Sequence, residues 1–454
     1  MELRKPKAGF VGFGEVNSPR ELIERKCREA QAALTALGIE IVAAGPVADD
    51  PEGVHEERAR RELANHDFDI VIVCIAGWIP SHSVLDVIAP LAHKPMVLWG
   101  LTGERVDGRL VTTADQAGTT ALRGPMEELG FRFGYVYDTP DAPYAAAKRV
   151  AELCRAAAAA ADLRTARVGM IGYRDMKLHS TLVDAIALRR VVGPEIEVVD
   201  TLEIAQRMER VDASEAARVE QTIRQEWRFD REPTSELLDP SIRLYLAVME
   251  KVRERGYGAV SLIDVDGIKK LMGFTPAGAL MLLADQGGLA TIPENDGHGA
   301  VTQLIVRAVT GQAGAYLEFY EFMSDRILAG VPDYVPAAVV DGPVQVRLAT
   351  FGELSEGVLN VSRVKAGRVT LCRLGMRGGR YRLHVMTGDA VTPAPWEEAG
   401  WAPPAPQLPG LEVIPDGGVG DFASKVLGQH YILAHGDQRR ALSDLCELLG
   451  VEVV

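Results

Sequence analysis

The sequence predicts an α/β protein: two doubly wound parallel-sheet domains followed by a β-rich C-terminal domain. Over the first 100 residues, apolar strand runs alternate with amphipathic helical runs, and the alternation restarts at residue 164. After residue 330 it gives way to short alternating strands separated by turn residues. Alternation of the first kind buries a parallel sheet between helices, whereas the second kind marks antiparallel β-structure.

AGFVGFG (residues 8–14) reads as a strand leading into a turn. Ser18, Pro19 and Glu21 then have the pattern of a capping box with proline at the first helical position, opening a helix to about residue 37. IEIVAAG (39–45), DIVIVCIAG (69–77) and KPMVLWG (94–100) are too continuously apolar for a sheet with one wet face, so they belong in a buried parallel one. An Ala-rich helix over 142–161 ends the first unit, and a new strand at 166–171 opens the second. That unit continues through EIEVVD (195–200), helices over 214–228 and 241–255, and strands GAVSLID (258–264) and LATIPEND (289–296). VPDYVPAAVVDG (331–342), VQVRLAT (344–350), RVTLCRLGMR (368–377), RYRLHVMTGD (380–389), a Pro-rich stretch over 393–409 and a terminal helix over 438–449 make up the rest. The expected domains are therefore 1–163, 164–330 and 331–454.

At 454 residues, with 47% hydrophobic and 25% charged residues, the chain can build more than one core. Its formal charge of −14 argues against a nucleic-acid partner, which requires a concentrated basic face. Carboxylates in such excess suit a metal ion or a small neutral ligand. Cys27, Cys74, Cys154, Cys372 and Cys446 are scattered and never form a C-x-x-C pair, so neither a disulfide framework nor a zinc knuckle is indicated. The opening residues carry no long apolar segment, and no stretch reaches the ~18 apolar residues of a membrane span. A cytoplasmic protein with no membrane partner is the expectation.

Four segments are candidates for chemistry, and the first fails. The run Gly9-Phe10-Val11-Gly12-Phe13-Gly14 follows a strand and precedes a helix, yet its G-x-x-G-x-G spacing fails the dinucleotide pattern, and Glu15 would oppose a pyrophosphate. Pro293-Glu294-Asn295-Asp296-Gly297-His298-Gly299 sets two carboxylates, an amide and an imidazole at the carboxyl end of an apolar strand, the edge where open α/β sheets bind ligands. Such groups suit Mn²⁺ or Mg²⁺, while a polar turn with Asn295 or Asp296 capping the next helix accounts for the same residues. AYLEFYEF (315–322) alternates as a strand does, placing Glu318 with Tyr316 on one face and Glu321 with Phe319 on the other. A carboxylate within an aromatic strand is costly unless paired or metal-bound. GQHYILAHGD (428–437) adds His430, His435 and Asp437 around a short apolar run.

On these residues the chain resembles the superfamily of L-fucose and L-arabinose isomerases over nearly its whole length. The stretches that carry the resemblance are GYRDMKLHSTLVDAIALRRVVGPEIEVVD (172–200), IPENDGHGAVT (292–302), GRVTLCRLGMRGGRYRLHVMTGDAV (367–391) and QHYILAHGD (429–437). The resemblance implies a metal-dependent aldose–ketose isomerase with one Mn²⁺, or another divalent cation such as Co²⁺ or Mg²⁺. Glu294, Glu318 and His430 stand where the family has its metal ligands, and Glu294 and Glu318 where it has its acid/base pair. It further implies sugar contacts from Arg174, Met176 and His179, and from Trp78 and His82 in GWIPSHS. A homo-oligomer, trimeric or hexameric, with a pocket completed by a neighbouring subunit also follows from the resemblance. Three departures stand out: Glu318 replaces an Asp, Val340-Asp341-Gly342 replaces a His-Cys-Gly-like turn, and the stretch around Lys269 and Lys270 diverges. They leave room for a related lyase or epimerase acting on a modified sugar, and two-domain α/β clefts also serve non-catalytic sugar-binding proteins.

Overall fold

The computed structural model describes residues 3–330, 334–350, 356–392 and 410–454. They fall into two compact units, 3–161 and 162–454, whose boundary lies inside the helix Ala147–Thr165. The Pro-rich stretch 393–409 and the first three residues of VPDYVPAAVVDG lie outside the described residues.

In the N-terminal unit β1 (Lys7–Phe13), β2 (Glu40–Val47), β3 (Ile70–Ile75) and β4 (Met96–Gly100) are followed by a small hairpin of β5 (Glu104–Val106) and β6 (Arg109–Val111), and then by β7 (Phe133–Tyr137). The parallel sheet has the order β2-β1-β3-β4-β7, with the chain reversing its direction of growth at β1. All six residues of β3 are buried, as expected of a strand with helices over both faces. The glycine run at the end of β1 serves packing: a side chain at Gly12 would collide with Sγ of Cys27 on the following helix, and one at Gly14 with Ile23. The expected Ser18 cap is not formed. That helix starts at Arg20, with Pro19 in the cap position and no side-chain hydrogen bond closing it.

The second unit opens with β8 (Arg167–Ile171) and β9 (Glu195–Val199); after the two-residue β10 (Arg228–Phe229) come β11 (Ala259–Leu262) and β12 (Ala290–Ile292). The order β12-β11-β8-β9 is again wholly parallel. Both strands that were expected to run into the polar segments stop short. β12 ends at Ile292 because Pro293 has no N–H to give a ladder and Glu294 and Asn295 turn into left-handed backbone, φ 61° and 49°. Between β11 and β12, Asp264–Met272 forms a π-helix, with Ile268 and Gly273 donating to carbonyls five residues back.

The remaining strands are β13 (Ala315–Phe322), β14 (Ile327–Gly330), β15 (Gln345–Thr350), β16 (Glu356–Asn360), β17 (Gly367–Arg377), β18 (Arg380–Val391), β19 (Gly410–Pro415), β20 (His430–His435) and β21 (Glu452–Val453). β15 and β16 join β10 in a three-stranded sheet. Among the described residues, β17-β20-β13-β14-β19-β18 pair in succession, and the β17–β18 hairpin closes them into a six-stranded antiparallel barrel. Two of its strands, β13 and β14, precede residue 331. Ala315, Leu317, Leu371, Tyr431 and Leu433 pack in its apolar cluster, so by alternation Tyr316, Glu318 and His430 lie on the opposite face.

Candidate active site

The site begins at the carboxyl edge of the second parallel sheet. Three successive amides are taken up by the end of β11 and the residues after it. Glu294 N donates to Asp264 Oδ1 at 2.9 Å, Asn295 N to Leu262 O at 2.8 Å, and Asp296 N to Ser261 Oγ at 3.0 Å. Left-handed backbone at a residue other than glycine or asparagine is costly, and these bonds hold it in place at Glu294. Asp296 then caps the helix Gly297–Thr310, accepting from Gly299 N at 2.9 Å.

The barrel supplies the other half. On the ladder between β13 and β20, Glu318 stands directly opposite His430. His430 Nε2 lies 3.2 Å from Glu294 Oε2 and 3.9 Å from Glu318 Oε1. The ring of Tyr316 stacks on His430, with centroids 4.5 Å apart and planes 23° from parallel. Gln429 Nε2 reaches Glu318 Oε1 at 3.4 Å. Glu294 and His430 are buried and Glu318 is half-buried, so the three residues expected to act together do converge. Burial pushes the His430 imidazole down to about 3 and the Arg373 charge adds to this, against the pull of Asp296, so the ring is neutral near pH 7.

Asp296 has a different role. Burial works against its charge, but the Arg373 guanidinium and the Gly299 amide more than offset this and hold its carboxyl below the usual carboxylate range. Arg373 grips both carboxylate oxygens and also donates to Ser180 O at 3.1 Å. Tyr316 donates its hydroxyl to Asp296 Oδ2 at 2.9 Å. With its oxygens engaged in this way, Asp296 fits the capping reading of the PENDGHG segment, and Glu294 is the carboxylate of that segment that reaches His430.

The loop bearing Arg174, Met176 and His179 is anchored to the same segment from both ends. Asn295 Nδ2 donates to Tyr173 O, while Ser180 O faces His298 Nδ1 at 3.3 Å and accepts from Arg373. Met176 and His179 are exposed between these anchors and Arg174 is half-buried. Met176 itself adopts φ 45°. Trp78, 38% exposed, and His82, also exposed, lie in the N-terminal unit, just past β3. His435 and Asp437 are not part of the site: His435 Nε2 faces Lys365 O, and Asp437 lies 3.9 Å from Arg368. Sequence reasoning gave no part in the site to Arg373 or Asp264, and noted Lys269 only as lying in a divergent stretch. The available signal was a charge in the middle of an apolar run for Arg373, and for the other two a carboxylate and a lysine five residues apart.

Two carboxylates and a neutral imidazole are donors that a divalent cation accepts, and His430 Nδ1 has no hydrogen-bond partner among the described residues. The donor chemistry therefore fits. The spacing is that of side chains in contact, and among the described residues no three His, Cys, Asp or Glu side chains are placed to hold a metal ion as they stand.

No family model matches the chain. It is 22% identical over 367 residues to a protein named sulfoquinovose isomerase from Alkalicoccus urumqiensis, covering 79% of this chain and 80% of that one. It is also 22% identical over 218 residues to a protein of the same name from Clostridium sp. (strain MSTE9), covering 48% of each. Both relatives are isomerases by name. No helix among the described residues is long and apolar enough to cross a membrane.

Proposed function

We propose that the chain is an aldose–ketose isomerase of the L-fucose and L-arabinose isomerase kind, working through an enediolate with Glu294 and Glu318 as its acid/base pair. Similarity to two proteins named sulfoquinovose isomerase indicates an enzyme of the aldose–ketose isomerase class. The observation that carries the site is the meeting of Glu294, from the parallel-sheet edge, with Glu318 and His430, from the barrel, around one buried imidazole nitrogen.

In this reading one carboxylate of the pair takes the proton from C2 of the open-chain sugar and delivers it to C1, while the O2 hydroxyl proton passes to O1. Glu294 is buried and its backbone is fixed, so it suits the proton transfer that needs constant geometry. Glu318 is half-buried and steadied by Gln429, which suits contact with an entering substrate. Glu294, Glu318 and His430 would hold the divalent cation. A bound cation would supply Lewis-acid charge that stabilises the enediolate. Arg174, Met176 and His179 line the approach and contact the sugar. Trp78 and His82 complete the pocket of a neighbouring subunit in a trimer or hexamer.

A lyase or epimerase passing through a similar enediolate is the second reading, favoured by Glu318 standing one methylene longer than the Asp that the resemblance implies. The test is incubation of metal-stripped protein, with and without Mn²⁺, with a panel of aldoses including sulfonated ones in deuterated water. Ketose formation and C2–H exchange are followed by NMR. Metal-dependent exchange with ketose supports the isomerase. Exchange that yields another product supports the second reading, and sugar binding without exchange leaves a binding protein.

A further inference from the structure

The π-helix that follows β11 carries a buried ion pair that none of the chemistry above uses. Asp264 is 0% exposed and Lys269 2%, with Lys269 Nζ 3.0 Å from Asp264 Oδ2. The other oxygen of the same carboxylate, Oδ1, accepts the amide of Glu294 at 2.9 Å. Residues five apart diverge by about 140° around an α-helix, but the i→i+5 bonding of a π-helix brings them onto one face. The unusual helix is therefore what lets Lys269 reach Asp264. Next door, Asp175, also 0% exposed, receives the amides of Val265 and Asp266 at 2.9 and 2.7 Å and fixes the start of that helix.

We infer that Asp264 and Lys269 are positioning residues: the Lys269 ammonium holds the Asp264 carboxylate so that it clamps the amide of Glu294 and keeps that residue in left-handed backbone, its side chain against His430. Two features of the site support this. Glu294 and Asn295 adopt φ values of 61° and 49° consecutively, a conformation that relaxes unless neighbouring structure over-determines it. A buried carboxylate is also an expensive way to satisfy one amide, since a backbone carbonyl would do so without desolvating a charge. Asp264 meets its electrostatic cost through Lys269 and gives Glu294 a charge-assisted hydrogen bond, the stronger kind. What Glu294 then does rests on the isomerase reading, whereas the way it is held does not.

The test compares wild-type protein with Asp264→Ala, with the double variant Asp264→Asn/Lys269→Met, which keeps an acceptor while removing both charges, and with Tyr334→Phe. Tyr334 is buried and donates to Thr291 O on β12, outside the hydrogen bonds of the clamp, so its variant lowers stability while leaving those bonds in place. Amide hydrogen exchange over residues 293–297 is read first, because it needs neither metal nor sugar. Asp264→Ala is expected to speed exchange there at least tenfold while amides of the barrel stay protected, and the double variant, which keeps an acceptor but loses both charges, to speed it by a few-fold only. Mn²⁺ titration and kcat and KM for the sugar are read second. Asp264→Ala is expected to weaken Mn²⁺ at least tenfold and to lower kcat more than it raises KM, neither of which Tyr334→Phe does. Unchanged exchange over 293–297 in Asp264→Ala overturns the inference, as does a Tyr334→Phe variant that reproduces its effects. Should Asp264→Ala fail to fold, the double variant decides: exchange over 293–297 a few-fold faster than wild type, with barrel amides still protected, supports the clamp, and exchange at the wild-type rate overturns it. Faster exchange in Asp264→Ala from a wild type that binds no Mn²⁺ and isomerises no sugar would leave the clamp standing and remove the isomerase reading instead.

Discussion

Glu294 and His430 meet with 3.2 Å between Oε2 and Nε2, although one ends a parallel-sheet turn and the other begins a barrel strand 136 positions later. The contact couples the two layers of the C-terminal unit at the point where chemistry is proposed. Glu294→Gln keeps the size of the side chain and the clamped backbone but removes the base. The expected loss in C2–H exchange and turnover is roughly 10²–10⁴-fold, the usual worth of a positioned acid/base group. NMR in deuterated water measures it, with the thermal midpoint unchanged within a few degrees as the control for folding. A variant that exchanges at the wild-type rate would remove Glu294 from the mechanism.

Arg373 and Asp296 form a second link between barrel and helix, and its exposures of 1% and 0% set the size of the effect. Breaking a buried pair by removing one partner leaves the other charge stranded, at a cost of about 3–5 kcal/mol. Arg373→Met is therefore expected to lose about that much stability in urea unfolding. Asp296→Asn combined with Arg373→Met should recover a large part of it, because no charge then remains buried. If the double variant were no more stable than the single one, the loss would lie in packing rather than in charge.

The elements with strong local periodicity were legible: both parallel sheets, the π-helix aside, announce themselves in continuous apolar runs such as DIVIVCIAG. PENDGHG was legible as a candidate segment, because two carboxylates and an imidazole at a strand end have few uses. The division of labour within it was not. Whether Asp296 caps a helix or takes part in chemistry depends on Arg373, 77 positions away. Glu318 and His430 were readable as candidates through resemblance, but their adjacency arises from a β13–β20 ladder spanning more than a hundred residues. Barrel closure escaped sequence reading for the same reason: β13 and β14 precede the β-rich stretch and pair forward into it. The Asp264–Lys269 clamp needs a π-helix, and nothing in a 3.6-residue period foretells one.

His384 offers a pH test away from the proposed ligands. Its ring stacks on Phe422 and its Nδ1 lies 2.6 Å from the Tyr431 hydroxyl. Burial pushes the imidazole down to about 4; Lys425 and Arg439 press the same way and Asp421 opposes them. An unfolded histidine binds its proton near pH 6.5. Between those values the unfolded chain holds more protons, so this stability is complete above about pH 6.5 and is lost as pH falls toward 4. The share from His384 amounts to ~3 kcal/mol over that window. His384→Gln should flatten the acid limb of the urea midpoint against pH by that amount, and an unchanged limb would assign the acid sensitivity to other groups.

Trp78 tests the proposed assembly. It follows β3 at the carboxyl edge of the N-terminal sheet, where α/β units present ligand contacts, and it is a large apolar residue left 38% exposed. If that edge completes the pocket of a neighbouring subunit, Trp78→Ala raises KM for the sugar about tenfold, equivalent to ~1.4 kcal/mol of lost contact. Mn²⁺ affinity stays as in the wild type, because Glu294, Glu318 and His430 all belong to the other unit. Sedimentation of the same samples gives the mass of the assembly. A monomer with full activity would show that no neighbouring subunit's Trp78 edge is needed for the reaction. A trimer or hexamer with raised KM and intact metal binding would place the aromatic face against the sugar.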